Sequence, residues 1–396
     1  MNRKIKKAYP LPKLSSVAEQ MPPSGIRLFF DLVLTMDDVI SLGVGEPDFN
    51  TPWHISQYAI EKIETGFTTY TSNSGLMELR EAITDNVRKT YGLSYDPVRE
   101  ILITVGVSEA YDLALRALIN PGDEILVHEP CYVSYKPLIS LAGGSPRVVS
   151  TRKENGFKVL PKDLASNCSR RSKAFVFNYP CNPTGVTYSK KELEALASVI
   201  REKNLFVISD EIYHHLSFDH PHISFPILDG FKERCLYLNG FSKGYAMTGW
   251  RIGFACGPSP LIALMTKIHQ YTMLCASVMG QYAAIEALKN GSEDTVEMKN
   301  EYFRRRNYIV KKLNDIGLSC HVPGGAFYVF PEIPACFSSD LEFANQLLKE
   351  ERVAVVPGSA FGRDCSRHIR ISYAYSVDKL KAASERIERF IKRHQG

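Results

Sequence analysis

The hydrophobic positions of the chain fall into short, β-prone runs that alternate with longer stretches of helical periodicity. Between most of these runs the apolar residues recur with helical spacing, as in Ser108–Ile119, Lys190–Lys203 and Leu261–Ala276. Strands that alternate with helices indicate βαβ units and a mostly parallel sheet covered on both faces, so we predict an α/β fold. The predicted strands are Ile101–Val105, Glu124–His128, Arg147–Ser150, Ala174–Asn178, Leu205–Asp210, Cys235–Asn239 and Ile252–Cys256.

The two ends of the chain depart from this alternation. From about Glu301 the pattern runs from a helix through Pro323-Gly324-Gly325 to a strand and a helix, then to strands near Val353–Val356 and His368–Tyr373 and a basic helix. This mixture is typical of a smaller α+β unit, on which we expect the Pro-rich N-terminal segment to pack. The predicted units are an N-terminal segment (1–45), a large domain (46–285) and a small C-terminal domain (286–396).

Composition narrows the class of protein. The 396 residues fit two or three domains, and the 44% hydrophobic fraction is ordinary for a globular protein. The net charge of +5 is spread along the chain, and no helix-turn-helix signal accompanies the basic N-terminal residues, so we expect no nucleic-acid partner. Nine cysteines without a C-x-x-C spacing favour free thiols. No 18-residue apolar stretch suggests a membrane span, and prolines interrupt the N-terminus, so we expect a cytoplasmic protein.

Polar residues follow four of the predicted strands at the point where each strand ends. In open parallel α/β sheets, ligands bind beyond the carboxyl ends of the strands, so these residues are expected to converge on one site. They are Gly106-Val107-Ser108, Asn178 with Asn182, Asp210 with Tyr213, and Ser242-Lys243.

The residue types at this edge suggest a particular chemistry. Val107 and Ser108 would place backbone N–H groups at a helix start, which suits a phosphate, although Ser108 could equally be a simple helix cap. Lys243 follows an apolar strand, where partial desolvation would lower its pKa and make it a reactive amine. Arg251 could reach the same anion. Asp210 is either a helix cap or the acidic group that a cationic pyridinium nitrogen requires.

Three motifs that contain these residues, taken in their order along the chain, resemble those of class I/II aminotransferases. These are the pyridoxal-phosphate enzymes of fold type I, with the aspartate aminotransferase fold. The resemblance runs from about Ser41 to Tyr373 and implies a large domain with a mostly parallel sheet and a small domain built from both termini. It also implies an aminotransferase that binds pyridoxal 5′-phosphate and forms a homodimer with shared active sites. The motifs are Asn178-x-Pro180-x-Asn182-Pro183-Thr184-Gly185, Asp210-x-x-Tyr213 and Ser242-Lys243-x₇-Arg251-x-Gly253.

The same resemblance implies roles for individual residues at the cofactor. Lys243 would bind the cofactor covalently and then act as the base and acid of the proton transfer. Asp210 would pair with the ring N–H, while Tyr213 and Asn182 would donate hydrogen bonds to the phenolic oxygen. Tyr132 would stack on the ring. The phosphate would be held by Val107, Ser108, Ser242, Arg251 and the partner subunit's Tyr70.

A substrate carboxylate is expected at Arg370, which resembles the arginine that clamps this group in the family. The planar guanidinium matches a carboxylate with two parallel hydrogen bonds, which lysine cannot provide. Strand alternation would place Ile369 and Ile371 on the opposite face. Gly45 resembles the glycine whose backbone approaches the same carboxylate, and Asn182 would also contact the substrate. A dinucleotide fingerprint at Gly43-x-Gly45 fails because Asp48 stands where the third glycine belongs.

Two departures from a simple assignment concern Gly240 and the histidines near the site. Gly240 stands where many family members have a serine, so one phosphate contact is expected to be missing or replaced by water. The cluster His214, His215, Asp219, His220 and His222 could ligate a metal, but the pattern favours a surface loop with solvated imidazoles, and we predict no metal.

The sequence leaves reaction type and donor partly open. A pyridoxal-phosphate-dependent C–S β-lyase of the same fold is the alternative; many such lyases carry Trp where this chain has Tyr188, which favours transamination. A transcription regulator would need a DNA-binding module ahead of Ser41. We expect 2-oxoglutarate as acceptor and a broad or aromatic-tolerant donor range. The donor pocket is predicted near Ile26, Arg27, Tyr111, Tyr132 and the partner subunit's Tyr271.

Overall fold

The computed structural model describes residues 12–21 and 36–395, and its elements follow the predicted alternation. The helices of these residues are α1 (Ser16–Gln20), α2 (Trp53–Glu64), α3 (Met77–Tyr91), α4 (Gly106–Leu118), α5 (Tyr135–Leu141), α6 (Pro161–Asn167), α7 (Lys190–Glu202), α8 (Ser259–Thr272), α9 (Val278–Asn290), α10 (Ser292–Asp315), α11 (Asp340–Glu351) and α12 (Val377–Gln395). The strands are β1 (Ile40–Ser41), β2 (Ile101–Thr104), β3 (Glu124–Glu129), β4 (Ser145–Ser150), β5 (Ser172–Asn178), β6 (Phe206–Asp210), β7 (Cys235–Gly240), β8 (Gly253–Cys256), β9 (Tyr328–Val329), β10 (Val353–Ala354), β11 (Val356–Pro357) and β12 (Ile369–Ser372).

The central sheet has seven strands in the order β2-β8-β7-β6-β5-β3-β4. Neighbouring strands from β4 through β7 run parallel, whereas β8 is antiparallel to both β7 and β2. The prediction of an α/β fold with a mostly parallel sheet is therefore confirmed. Within the described ranges no helix combines the length and the apolar character needed to cross a bilayer.

The strands in the middle of the sheet are mostly apolar because both faces of the sheet are covered. Phe175 and Phe177 of β5 point to the face that α6 and α7 cover. Ala174 and Val176 of the same strand belong to the opposite core, which includes residues of α4, α5 and α8. Alternate residues of one strand thus enter two cores, which is why the strands read as nearly continuous hydrophobic runs.

A third core joins residues 40–42 to the C-terminal part of the chain. β1 pairs in parallel with β10, with Ile40 opposite Val353, and β12 lies between β11 and β9 in an antiparallel sheet. Leu42, α10, α11 and α12 contribute to the hydrophobic cluster around these strands. Segments from both ends of the chain therefore build one region, as expected, while the exact domain boundaries stay a prediction.

The loop that follows β6 does not have the solvated imidazoles that the sequence suggested. His222 Nε2 donates to the buried Glu211 carboxylate at 2.6 Å, and the His222 side chain is only 5% exposed. His214 contacts the Asn239 side chain at 2.8 Å, and burial lowers the pKa of His215 to about 4. The prediction was wrong for these three residues because His222 pairs with a buried carboxylate, while His214 and His215, in a 3₁₀ turn, pack against Tyr91 and Tyr245. His220 is exposed, as predicted.

Candidate active site

The carboxyl ends of β5, β6 and β7 open onto a cavity of about 810 Å³. Tyr70 does not line it: this side chain is 82% exposed, so its predicted role at a partner subunit's site stays a prediction. The other site residues predicted from the sequence all lie in the cavity wall; they are Gly45, Val107, Ser108, Tyr132, Asn182, Asp210, Tyr213, Ser242, Lys243, Arg251 and Arg370.

Lys243 lies in the turn that follows β7, with its amine directed into the cavity. Nζ donates to the backbone carbonyl oxygen of Gly45 at 2.6 Å and lies 5.9 Å from the centre of the Tyr213 ring. Burial, together with the positive charges of Arg370 and Arg251, lowers the pKa of Lys243 to about 8. A sizeable fraction of the amine is therefore unprotonated near neutral pH, as a nucleophile or general base requires.

Asp210 ends β6 and is almost completely buried at the base of the cavity. Its Oδ2 accepts a hydrogen bond from the Tyr135 hydroxyl at 2.6 Å, and its Oδ1 accepts one from the backbone N–H of Ile212 at 3.2 Å. Burial raises the pKa of Asp210 to about 6. The carboxylate is thus mostly ionised at pH 7 in apolar surroundings, where a cationic N–H would be a favourable partner.

The start of α4 and the turn before β8 form a narrow cradle. Gly106 has a φ of +71°, and a Cβ atom there would lie 2.8 Å from Nη2 of Arg251. A Cβ at Gly253 would lie 2.6 Å from the Val107 nitrogen. These close contacts hold the first N–H groups of a helix beside a guanidinium, which is a favourable arrangement for a phosphate.

The same packing accounts for Gly240, at the end of β7. A Cβ at this position would lie 3.0 Å from the Gly253 Cα and 3.0 Å from the Ile252 carbonyl oxygen. Both of these neighbours are backbone atoms, which cannot rotate away as the end of a side chain can. A serine could therefore be accommodated here only if the two strands moved slightly apart, so glycine suits the close packing of β7 against β8.

Arg370 lies in β12 at the opposite end of the cavity and is only 2% exposed. Nη1 donates to Oδ1 of Asn182 at 2.9 Å, and the guanidinium stacks over the Tyr328 ring at 4.5 Å. Nε is buried without a partner, and among the described residues no carboxylate lies within ion-pair distance. A buried cation without an anionic partner is a favourable binding site for an anion. Ile369 and Ile371 enter the core on the other face, as alternation predicted.

Two tyrosines that the sequence did not single out complete the cavity. The Tyr328 hydroxyl lies 2.8 Å from the Tyr213 hydroxyl, and a Cβ on Gly45 would lie only 2.2 Å from it. Tyr135 is the hydrogen-bond donor to Asp210. Neither residue left a signal in the sequence: Tyr135 begins α5 and Tyr132 precedes that helix, so no helical spacing relates the two.

The sequence profile of the family described as "Aminotransferase class I and II" matches residues 37–387, most of the chain. The chain therefore belongs to the class I and II aminotransferases, and it is an enzyme of that type. Enzymes of this class depend on pyridoxal 5′-phosphate. The resemblance inferred from the ordered motifs is confirmed.

Individual relatives agree with this assignment over nearly their whole length. YugH of Bacillus subtilis, an aminotransferase by its assigned name, is 50% identical over 96% of this chain and 98% of its own. The aromatic-amino-acid aminotransferase 2 of Thermococcus litoralis is 41% identical over 96% and 98%. The structure of the aspartate aminotransferase of Thermus thermophilus with maleate superposes with a TM-score of 0.92 at 36% identity, covering 96% of this chain and all of that one.

Proposed function

We propose that this chain transfers the amino group of an L-amino acid to a 2-oxo acid, with 2-oxoglutarate as acceptor, in a ping-pong reaction on pyridoxal 5′-phosphate. The observation that carries the proposal is the placement of three buried charged groups, Lys243, Asp210 and Arg370, around one cavity. Each lacks a charged protein partner at ion-pair distance among the described residues, and each matches one group of the cofactor or substrate.

The residues fit the cofactor by charge as well as by shape. The cradle at Gly106 with Arg251 would hold the phosphate, Asp210 the protonated ring nitrogen, and Tyr213 with Asn182 the phenolic oxygen. Tyr132 lines the cavity beside Tyr135, with 5.6 Å between the ring centres, and would cover the face of the cofactor ring. The partner subunit's Tyr70 would complete the phosphate contacts.

The bound cofactor supplies an electron sink for the bond that breaks at the substrate α-carbon. Arg370 binds the α-carboxylate with its planar fork and so orients the Cα–H bond toward Lys243. Lys243, with its lowered pKa, takes this proton as a base and later returns it as an acid. Asp210 stays ionised throughout and keeps the ring nitrogen protonated, while the Tyr213 hydroxyl holds the phenolic oxygen.

The cavity wall supports a broad donor range that includes aromatic side chains. Five tyrosines line the cavity. The lysine and arginine side chains among its described lining residues are already assigned to the cofactor or to the α-carboxylate. A second carboxylate on the donor thus finds no free cation among these residues. Ile26 and Arg27, the predicted N-terminal part of the pocket, lie outside the described residues. The tyrosines are Tyr111, Tyr132, Tyr135, Tyr213 and Tyr328.

A homodimer is supported by large side chains that are exposed at the surface of the single chain. Tyr70 and Tyr271 are more than 80% exposed, and Trp53 is 70% exposed. The Asn73 side chain donates to the Leu274 carbonyl oxygen at 2.7 Å, so the segments of Tyr70 and Tyr271 lie side by side. Exposed apolar surface of this kind is typical of an interface, here with a second copy of the chain. Sedimentation of the native protein at micromolar concentration tests the dimer.

The first test is a visible absorption spectrum of the purified protein, titrated with single amino acids in the absence of any oxo acid. We expect the band of lysine-bound cofactor to convert stoichiometrically to that of its amino form, and the donors that cause this define the specificity. Borohydride should trap the cofactor on Lys243, and Lys243→Ala should not be labelled. Steady release of pyruvate without conversion would instead establish the β-lyase reaction.

The pKa of Lys243 adds a pH dependence to this test. Because burial lowers this pKa to about 8, the reactive neutral amine of the cofactor-free protein is half-formed near pH 8 and predominates above it. The rate of cofactor capture should therefore level off just above pH 8, whereas an ordinary lysine would still gain reactivity up to its usual pKa near 10.4. A rate that keeps rising tenfold per pH unit to pH 10 would contradict the assigned environment of Lys243.

A further inference from the structure

The Asp210 carboxyl group has a hydrogen-bond partner that the roles above leave unexplained. Tyr135 begins α5, is buried, and donates to Oδ2 of Asp210 at 2.6 Å. The other contacts of Asp210 involve backbone atoms: Ile212 N–H donates to Oδ1, and the Asn178 side chain donates to the Asp210 carbonyl oxygen. The charged residues that act on this carboxyl are Glu211 and Lys243. Tyr135 is thus the one side chain among the described residues that donates a hydrogen bond to this carboxyl group.

We propose that Tyr135 is a positioning residue for the ring nitrogen of the cofactor, because its hydroxyl fixes the orientation of the Asp210 carboxylate and stabilises its ionised form. This inference rests on the proposed function. A carboxylate oxygen has two lone pairs, so the bond from Tyr135 leaves acceptor positions for the ring N–H. The hydroxyl also supplies, inside the protein, part of the solvation that burial removes from the carboxylate.

Tyr135 is itself held firmly enough to perform this task. Its backbone carbonyl accepts a hydrogen bond from the Tyr111 hydroxyl at 3.2 Å, and its ring lies 4.9 Å from that of Tyr111. On its other side it packs against Tyr132, the residue proposed to cover the cofactor ring. One side chain therefore contacts both the group that binds the ring nitrogen and the group that stacks on the ring.

The proposed role has a consequence for cofactor affinity at acidic pH. At a pH below the pKa of Asp210, the Asp210 carboxyl group of the cofactor-free protein carries a proton. This proton must be released when the protonated ring nitrogen of the cofactor binds. The affinity for the cofactor therefore falls as the pH falls through this pKa. Loss of the Tyr135 hydroxyl removes a donor that favours the ionised carboxylate and raises the Asp210 pKa. The fall in affinity should then begin at a higher pH.

The test measures the dissociation constants of two cofactors from the cofactor-free protein between pH 5 and 8.5. One is pyridoxal 5′-phosphate, and the other is its 1-deaza analogue, in which carbon replaces the ring nitrogen. The ratio of the two affinities measures how much the ring nitrogen contributes to binding, because both compounds carry the same phosphate and aldehyde groups. In Tyr135→Phe the acidic midpoint of this ratio should rise by roughly one pH unit, while affinity for the analogue stays unchanged.

Tyr373→Phe is the control, because it removes a buried hydroxyl that donates to the Ala326 carbonyl oxygen, away from Tyr135 and outside the cavity wall; its midpoint should equal that of the wild type. An unchanged midpoint in Tyr135→Phe overturns the proposal. Equal losses for both cofactors at every pH also overturn it, since they would mean that Tyr135 serves packing alone. If the wild type binds neither cofactor at Lys243, the proposed function itself fails, and this inference fails with it.

Discussion

The cavity has two walls that are built in different ways. The sheet wall consists of Asn182, Asp210, Tyr213 and Lys243, which follow the consecutive parallel strands β5, β6 and β7. The carboxylate wall consists of Gly43–Gly45, Tyr328 and Arg370, which come from the loop after β1 and from β9 and β12. Arg370 and Gly43 are joined by a hydrogen bond although they are 327 residues apart.

The difference lies in what holds each wall in place. Backbone pairing fixes the sheet wall: Asp210 lies opposite Asn178 on one side and Leu238 on the other. In the carboxylate wall, backbone pairing also positions Arg370, opposite Val356, and Tyr328, opposite Ser372, but this wall is joined to the sheet wall by side-chain contacts, such as that of Arg370 with Asn182. A substitution in the sheet wall should therefore change the chemistry alone, whereas one in the carboxylate wall should change both chemistry and geometry.

The largest effect is expected in the sheet wall, from Asp210→Asn. The amide has the size of the carboxylate and can still accept from Tyr135, but it carries no charge to keep the ring nitrogen protonated. We expect single-turnover rates to fall about 10²–10³-fold, while borohydride still traps the cofactor on Lys243 and thermal unfolding changes little. The surface variant Asp229→Asn provides the control. Turnover close to that of the wild type would show that Asp210 does not act on the cofactor.

A smaller effect is expected in the carboxylate wall, from Arg370→Lys. Lysine retains the charge but loses the planar fork and one of the contacts with Asn182 and Gly43, so kcat/KM for an accepted amino acid should fall roughly 30-fold. The slow reaction of the corresponding amine, which has no carboxylate, should be almost unaffected. If both substrates lose the same factor, Arg370 maintains the wall and does not bind the carboxylate.

The same difference explains what could be predicted from the sequence. Strand positions follow from apolar runs, and topology brings the ends of parallel strands to one edge, so Asp210 and Lys243 were predictable without any relative. Arg370 and Gly45 were predictable only through the family resemblance, because no local pattern shows that residues so far apart meet.

Contacts between remote side chains were not predictable at all. The hydroxyl pair Tyr213 and Tyr328 joins residues 115 positions apart, and neither local spacing nor periodicity indicates it. The histidines after β6 were misjudged for a related reason. Glu211, the buried carboxylate that draws His222 inward, lies in a polar stretch of sequence that resembles a surface loop.

The smallest expected effect, and the sharpest comparison of the two walls, comes from the contact between Gly45 and Tyr328. A Cβ at position 45 would lie 2.2 Å from the Tyr328 hydroxyl oxygen, which itself lies 2.8 Å from the Tyr213 hydroxyl. Gly45→Ala must therefore displace Tyr328, and we expect kcat/KM to fall roughly tenfold. Tyr328→Phe removes the oxygen that clashes, so the double variant should be more active than the product of the two single effects predicts. Effects that simply multiply would mean that positions 45 and 328 do not interact, and that the carboxylate wall tolerates change as locally as the sheet wall does.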